Sequence, residues 1–283
     1  MSTLVVPDDP IAQPNGSRLS EDVAEKKIGV SVCIPALNEE GIIAETVAEA
    51  TEVLSAMPGE HEILVVDDGS CDRTWEILQQ AVKQFPMLGT LRHPQRRGLP
   101  QAQKTLIEAA SGKYIFHIGA DREWKMSEIP RMLELLENGN DIVIGIRRRK
   151  QYSLWRKFVS LMYNALVALF WGRHFGDLGS IKMARSALWK LIPIETDSAF
   201  VNAERILIGY ANGAQVATIP VDHVARKTGK SSFSGVKQAV RAFRDLLSFR
   251  LSPRSWQRLP DGWQLSTTEA FPVPSLQERT GVS

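Results

Sequence analysis

The chain has 283 residues, of which 43% are hydrophobic and 23% charged, which suits one large α/β domain or one domain with extensions. The formal net charge is only +2, so overall charge gives no indication of a nucleic-acid partner. Two cysteines, Cys33 and Cys71, both fall in the predicted core without a CxxC or Cys/His cluster. This argues against a disulfide framework and a thiol metal site, and it favours a reducing compartment.

The first 26 residues are polar and Pro-rich and lack the basic and apolar regions of a signal peptide, which predicts a disordered arm over 1–26. From there strands and helices alternate, as in a mostly parallel α/β sheet with helices on both faces, and we expect one such domain over 27–233. Strands are predicted at 29–35, 62–67, 88–92, 114–118, 141–146 and 215–221. Helices are predicted at 39–56, 73–84, 99–110, 128–138, 153–171, 184–191, 198–211 and 236–248.

The most informative strand end follows the apolar run at 63–66, which stops abruptly at Asp67 and Asp68. In an open parallel sheet, ligands bind beyond the carboxyl ends of the strands. A buried charge there is costly unless it is used or paired, which favours a binding site. A purely structural alternative is that Asp72 or Ser70 caps the helix that follows.

A second strand-to-helix turn, I-P-A-L-N-E-E at 34–40, precedes V-V-D-D-G-S-C-D-R-T at 65–74. Together and in this order, the two motifs resemble the nucleotide-binding half of family 2 glycosyltransferases with the GT-A fold. The resemblance extends over about 28–233 and is to the dolichol-phosphate mannose synthase branch, whose members transfer a sugar from a nucleotide to a polyprenyl phosphate. No GxGxxG motif supports a dinucleotide site instead.

The resemblance implies that Pro35, Leu37, Glu39 and Asp68 bind the nucleotide of the donor. A strand-end carboxylate accepts the ring N–H of uracil or guanine, and the resemblance gives this role to Asp68. A cap or turn role remains equally open for Asp67.

The predicted metal site departs from the family pattern. Relatives carry D-x-D after the strand at 114–118, whereas here Gly119 replaces the first acid and Asp121 remains. Glu123 stands where the mannose synthases often have a metal-binding glutamine. We expect Asp121 and Glu123, with the donor diphosphate, to bind Mg²⁺ or Mn²⁺. The alternative is that Glu123 is a solvated first-turn residue and the metal site is weakened or lost.

Three further motifs resemble those that hold the acceptor phosphate in the polyprenyl-phosphate branch: G-I-R ending at 147, R-K-F-V-S at 156–160, and H-V-A-R-K-T-G-K-S at 223–231. The resemblance implies that Arg147, Arg156, Ser160 and Arg226 bind this phosphate. The planar guanidinium of arginine meets phosphate oxygens in pairs. A phosphate monoester is largely dianionic at neutral pH, so such an acceptor attacks without a dedicated base and inverts the anomeric centre.

Two acids remain near the expected sugar position. Asp177, in G-D-L-G-S-I-K, resembles a D-x-x-S-G-F element and would contact sugar hydroxyls or the metal. Glu204 matches a family acid of the sugar pocket, or else pairs with a neighbouring arginine. If the acceptor were a soluble hydroxyl compound, Asp177 or Glu204 would have to act as the base. If Gly119 marks lost catalysis, the chain would be a nucleotide-sugar binding protein.

Two predicted helices, at 154–171 and 236–251, are relevant to the question of membrane association. The first is interrupted by polar residues and is shorter than the roughly 20 apolar residues that span a bilayer. The second is amphipathic and either packs on its own domain or lies on anionic lipid. We therefore expect a cytoplasmic enzyme bound peripherally to the cytosolic membrane face, with an irregular tail over 252–283.

Overall fold

The computed structural model of the protein describes residues 4–5, 28–148, 154–198, 200–223 and 236–252. Its centre is a sheet whose eight strands lie in the order β1-β4-β3-β2-β5-β7-β6-β8. The strands are β1 (Leu4–Val5), β2 (Ile28–Ala36), β3 (Glu60–Asp67), β4 (Leu88–Arg92), β5 (Tyr114–His117), β6 (Ile142–Arg147), β7 (Lys182–Arg185) and β8 (Val216–Val221). Neighbouring strands pair in parallel except β7, which is antiparallel to both β5 and β6.

Helices alternate with the strands and cover both faces of the sheet. They are α1 (Ile43–Ser55), α2 (Thr74–Gln84), α3 (Leu99–Ala109), α4 (Ile129–Glu137), α5 (Leu154–Trp171), α6 (Ser186–Leu191), α7 (Val201–Ala211) and α8 (Val236–Leu251). A 3₁₀ turn at Met126–Glu128 leads into α4. The predicted α/β architecture with a mostly parallel sheet is confirmed.

The hydrophobic core forms two layers because successive side chains of a strand point to opposite faces. Val32 and Ile34 of β2 join the layer under α1, α2 and α4. Cys33, between them, belongs to the layer under α3, α6 and α7. Strands buried on both faces read as continuous apolar runs, which is why most of them could be predicted.

Three sequence expectations are wrong in detail. Strand β7 was not predicted, because Lys182–Arg185 carries two cations and is four residues long. Within the predicted disordered arm, Leu4–Val5 pairs with β4 as β1, since two apolar residues can extend that open edge. Cys71 is exposed, whereas Cys33 is buried as expected.

The parallel strands β2, β3, β5 and β6 end on one edge of the sheet, at Ala36, Asp67, His117 and Arg147. We call this the carboxyl edge. Strand β7 runs in the opposite direction and therefore begins at this edge, where Lys182 pairs with His117. Every site residue predicted on a described strand end or on the turn that follows it lies at this edge.

Candidate active site

The turns after β2 and β3 are joined by hydrogen bonds that run in both directions. Ser70 Oγ accepts the Asn38 N–H at 2.9 Å, and Asn38 Oδ1 accepts the Cys71 N–H at 2.8 Å. Thr74 Oγ1 accepts the Glu39 N–H at 2.8 Å. Asn38 has a φ of 55°, a left-handed conformation that asparagine tolerates. This turn delays the start of α1 to Ile43, later than predicted.

The residues predicted to bind the nucleotide lie together at these joined turns. Pro35 of β2 pairs in register with Val66 of β3, and the Asp68 N–H donates to the Ala36 carbonyl at 2.9 Å. Leu37 and Glu39 follow on the same turn and are half-buried. The structure thus brings all four predicted nucleotide residues together on the joined turns at the carboxyl edge.

Asp68 organises the loop after β4. Its Oδ1 lies 2.7 Å from Nδ1 of His93 and accepts the Arg97 N–H at 2.8 Å, while its Oδ2 accepts the Gly98 N–H at 2.8 Å. Burial acts to raise the pKa of Asp68, but the hydrogen bonds from His93 and the two amides outweigh it and lower the pKa. Because a carboxylate has about four acceptor positions, Asp68 retains capacity for one further donor.

The neighbouring acids Asp67 and Asp72 have structural roles. Asp67 is fully buried, accepts the Ser70 N–H at 3.0 Å and lies 3.2 Å from Nε of Arg92. The turn alternative therefore describes Asp67. Asp72 accepts the N–H of Thr74, the first residue of α2, at 3.0 Å, although the N-cap position itself is Arg73, whose side chain makes no capping hydrogen bond.

The loop at 93–98 passes directly over Gly69. A Cβ at Gly69 would lie 2.6 Å from Arg96 N and 2.6 Å from the carbonyl carbon of Gln95, so only glycine fits there. Gly69 also has a φ of +73°, which side chains rarely adopt. The crossing leaves Arg96 and Arg97 exposed beside the crevice. Sequence reasoning missed this loop, although two adjacent arginines before a helix start were a visible signal.

The loop after β5 carries the predicted metal ligands and is fixed against α1. Thr46 Oγ1 donates to the Ala120 carbonyl at 2.9 Å. Arg122, at a left-handed φ of 52°, forms ion pairs with Glu45 and Glu49 of α1, with Nε 3.0 Å from Glu49. Asp121 is therefore held by well-anchored backbone on both sides.

Asp121 and Glu123 are chemically suited to bind a hard divalent cation, because they are two half-buried carboxylates on one short loop. Asp121 Oδ1 accepts the Glu123 N–H at 3.2 Å. A Cβ at Gly119 would lie 3.2 Å from Asp121 Oδ1, so Gly119 faces the carboxylate that remains. Within the described ranges, no three His, Cys, Asp or Glu side chains cluster as a complete metal site. A cation here therefore needs oxygens from the substrate or from water.

Arg147 and Asp177 form an ion pair at the carboxyl edge. Arg147 Nε lies 3.2 Å from Asp177 Oδ2, and both side chains are about nine-tenths buried. The Arg147 guanidinium carbon lies 4.7 Å from the ring centroid of Trp124. Trp124 in turn packs edge-on against the His223 ring at 5.1 Å. Arg147 therefore packs on Trp124, which lies three residues along the chain from Asp121.

The remaining acceptor residues are not joined to this pair by a described contact. The hydrogen bonds described for Ser160 run to Asn164 on the same helix, α5. The backbone of Arg156 belongs to α5, but its side chain lies outside the described part of the chain. Arg226 also lies outside the described residues. Their binding of an acceptor phosphate stays a prediction.

A buried polar layer lies beneath the edge, between the sheet and α7. Lys182 donates to Asn202 Oδ1 at 3.0 Å, and burial lowers its pKa to about 7. Burial also raises the pKa of Glu204, which accepts the Thr196 N–H at 3.3 Å. The expected ion pair of Glu204 is absent among the described ion pairs, although Arg205 next to it opposes this rise in pKa.

Comparison with known proteins agrees with the fold and the motifs. Residues 31–201 match the family described as Glycosyl transferase family 2. The chain is 28% identical to an undecaprenyl-phosphate 4-deoxy-4-formamido-L-arabinose transferase of Edwardsiella ictaluri, over 77% of this chain and 67% of that protein. It is 30% identical to the enzyme of the same name from Photorhabdus laumondii, over the same shares of each chain.

Solved structures share the architecture at lower identity. Glucosyl-3-phosphoglycerate synthase of Mycobacterium tuberculosis, solved with Mn²⁺, UDP and phosphoglyceric acid, superposes with a TM-score of 0.64 at 19% identity, over 83% of this chain and 80% of that one. The same enzyme with Mg²⁺ and UDP gives a TM-score of 0.65 at 19% identity, over 83% and 86%. These proteins have the GT-A fold. With the match to more than half of its length, the chain belongs to glycosyl transferase family 2.

Proposed function

We propose that this enzyme transfers a sugar from a nucleotide-diphosphate donor to a polyprenyl phosphate, with inversion at the anomeric carbon. The observation that carries the proposal is the position of Arg147. The guanidinium of Arg147, paired with Asp177, lies at the same sheet edge as the predicted nucleotide residues and packs on the loop of Asp121. The relatives named as undecaprenyl-phosphate sugar transferases support the same acceptor class.

The donor nucleotide would occupy the crevice formed by Pro35, Leu37, Glu39 and Asp68. The acceptor position left on Asp68 suits the ring N–H of uracil or guanine. Arg96 and Arg97 are exposed on the loop that Asp68 anchors. Their charge favours the binding of the donor diphosphate at this end of the sheet.

Asp121 and Glu123 would hold Mg²⁺ or Mn²⁺ together with donor phosphate oxygens, as the neighbours solved with these ions and UDP support. The ion supplies charge neutralisation for the departing diphosphate. Asp121 and Glu123 orient the diphosphate end of the donor, and the anchored loop keeps both acids at the carboxyl edge.

Arg147 would orient the acceptor phosphate, with Arg156, Ser160 and Arg226 as its predicted partners. The acceptor is already an anionic nucleophile at neutral pH, so the arginine holds it in line without removing a proton. Asp177 is paired with Arg147, which suits a group that fixes the clamp and contacts sugar hydroxyls better than a general base.

The reaction would take place at a membrane surface. Among the described helices, none has the length and apolarity to cross a bilayer. Of the large hydrophobic side chains exposed in the described ranges, all but Leu191 lie on α5 or α8: Leu161, Met162, Leu169, Val240, Leu247 and Leu251. The two helices pack together through Tyr163 and Phe243. This apolar pair, with Arg241 and Arg250 on α8, suits peripheral contact with an anionic lipid surface.

A transfer assay tests the proposal. The protein is incubated with radiolabelled nucleotide sugars, a divalent metal and a short polyprenyl phosphate, and the product is partitioned between water and organic solvent. Label in the organic phase is the expected result, and Arg147→Ala should abolish it while donor affinity is kept. Label in a water-soluble product would instead favour a hydroxyl acceptor, and donor binding without turnover would favour a binding protein.

A further inference from the structure

The loop of Asp121 and the strand end of Arg147 are connected by two aromatic residues. Trp124 forms an antiparallel backbone bridge with His223, which joins the loop after β5 to the chain beyond β8. His223 Nε2 lies 3.4 Å from a carboxylate oxygen of Glu123. Trp124 presents its ring face to Arg147 at 4.7 Å. One continuous set of contacts thus runs from Glu123 to Arg147.

This arrangement restrains the guanidinium of Arg147 in two independent ways. Asp177 lies 3.2 Å from its Nε, and the indole covers one face of the group. Trp124 is only 6% exposed and itself sits against His223, so the ring has little freedom to turn. A restrained arginine loses less conformational freedom when it binds a phosphate than a mobile one does.

We infer that Trp124 is a positioning residue for acceptor binding, which acts by holding Arg147 in the orientation that receives the phosphate, with His223 as its support. The inference rests on the proposed function. It adds that the loop of the metal ligands and the acceptor site are mechanically connected through one indole ring. Sugar transfer does not in itself require a tryptophan at this position. The orientation of Arg147 by Trp124 is therefore a feature of this chain.

The test compares Trp124→Leu, which removes the aromatic face, with Trp124→Phe, which keeps a smaller one. Transfer kinetics are measured with a radiolabelled nucleotide sugar and a short polyprenyl phosphate as separate variable substrates. Trp124→Leu should raise KM for the polyprenyl phosphate about tenfold, which lies within the range of a desolvated cation–π contact. KM for the donor should change less than about twofold, and Trp124→Phe should recover most of the loss.

Tyr210→Leu is the matched control. Its ring lies 5.3 Å from the guanidinium carbon of Arg173, which donates to the Val216 carbonyl at the opposite end of β8. Losing that arginine–ring contact should leave both KM values unchanged. An unchanged acceptor KM in Trp124→Leu, or an equal loss for donor and acceptor, would refute the positioning role alone. A wild-type protein that transfers no sugar to polyprenyl phosphate would refute the proposed function and this role with it.

Discussion

Nδ1 of His93 lies 2.7 Å from Oδ1 of Asp68, which ties the residue expected to bind the donor base to the first residue of the loop after β4. His93 is fully buried and also contacts Thr105 Oγ1 at 3.0 Å. The carboxylate of Asp68 is thus held by both ends of the loop at 93–98 before any ligand arrives.

Replacing Asp68 with asparagine should weaken both the fold and donor binding. The amide leaves at least one of the partners His93, Arg97 and Gly98 without its acceptor, which costs about 1–3 kcal/mol. We expect a loss of that size in urea unfolding at pH 7, and donor affinity at least tenfold lower by calorimetry. Unchanged donor affinity would exclude Asp68 from the nucleotide site.

The stabilising effect of Asp68 should disappear in acid. Its pKa in the folded protein is lowered from the ordinary value of 3.8, so its contribution is present above that pH and is lost as the pH falls through the folded pKa. The difference in unfolding free energy between wild type and Asp68→Asn should therefore shrink steadily below about pH 4. A difference that stays constant from pH 7 to pH 3 would contradict the assigned hydrogen bonds.

Gly69→Ala should prevent the loop at 93–98 from closing on Asp68. The added Cβ meets backbone at 2.6 Å, and backbone cannot move aside as a flexible side chain can. Gly139→Ala is the control, because Gly139 has a φ of +94° but open space around its Cβ position. Both variants should lose about 1–2 kcal/mol from the left-handed conformation, and only Gly69→Ala should lose donor affinity in a calorimetric titration.

Gly119→Asp should strengthen metal binding by restoring the first acid of D-x-D. Gly119 does not have a left-handed φ, and the nearest atoms to its Cβ would belong to the side chain of Asp121, at 3.2 Å, and not to backbone. With UDP or GDP present, we expect Mn²⁺ affinity to rise about tenfold in calorimetry, since a third hard oxygen ligand becomes available. Gly119→Asn has the same shape without the charge and should bind Mn²⁺ more weakly than Gly119→Asp. Equal affinity in both variants would place the cation elsewhere.

Replacing exposed apolar side chains of α5, which packs against α8, should selectively reduce lipid binding. Leu161 and Leu169 of α5 are 66% and 76% exposed, so glutamate at both positions should be tolerated by the fold. The double variant should float poorly with vesicles of phosphatidylcholine and phosphatidylglycerol, because each apolar side chain withdrawn from lipid costs roughly 1.5–3 kcal/mol. Leu191→Glu, at an exposed position on α6, should float like the wild type. Equal flotation of all three proteins would contradict the assigned surface.

The fold was predictable where a buried element shows a simple hydrophobic pattern in the sequence. Strands such as β3 and β6 contain continuous apolar runs, and the polar residues at their ends pointed to Asp68 and Arg147 as candidate site residues. Strand β7 was not predicted, because its first residue, Lys182, carries a basic side chain that is nevertheless buried and donates to Asn202 of a distant helix. The local sequence around Lys182 does not indicate such a partner.

The candidate site was predictable where its residues belong to sequence motifs. Asp68, Asp121, Arg147 and Asp177 stand in recognisable motifs, and the structure places all four at the carboxyl edge. The roles of His93 and Trp124 arise from contacts with residues far along the chain. Glu123 and His223, for example, are 100 positions apart, so only the folded chain reveals that they meet.

The reversed direction of β7 has a consequence for how enzymes of this shape diversify. Because β7 begins where its antiparallel neighbours β5 and β6 end, the segment at 172–181 brings Asp177 to the edge on a helix-to-strand connection, whereas the turns after β2, β3 and β5 are strand-to-helix connections. Under the proposed function, insertions or substitutions in that segment would change the surroundings of the sugar while the joined turns assigned to the nucleotide stay as they are. New sugar preferences would then evolve without rebuilding the nucleotide-binding part of the sheet edge.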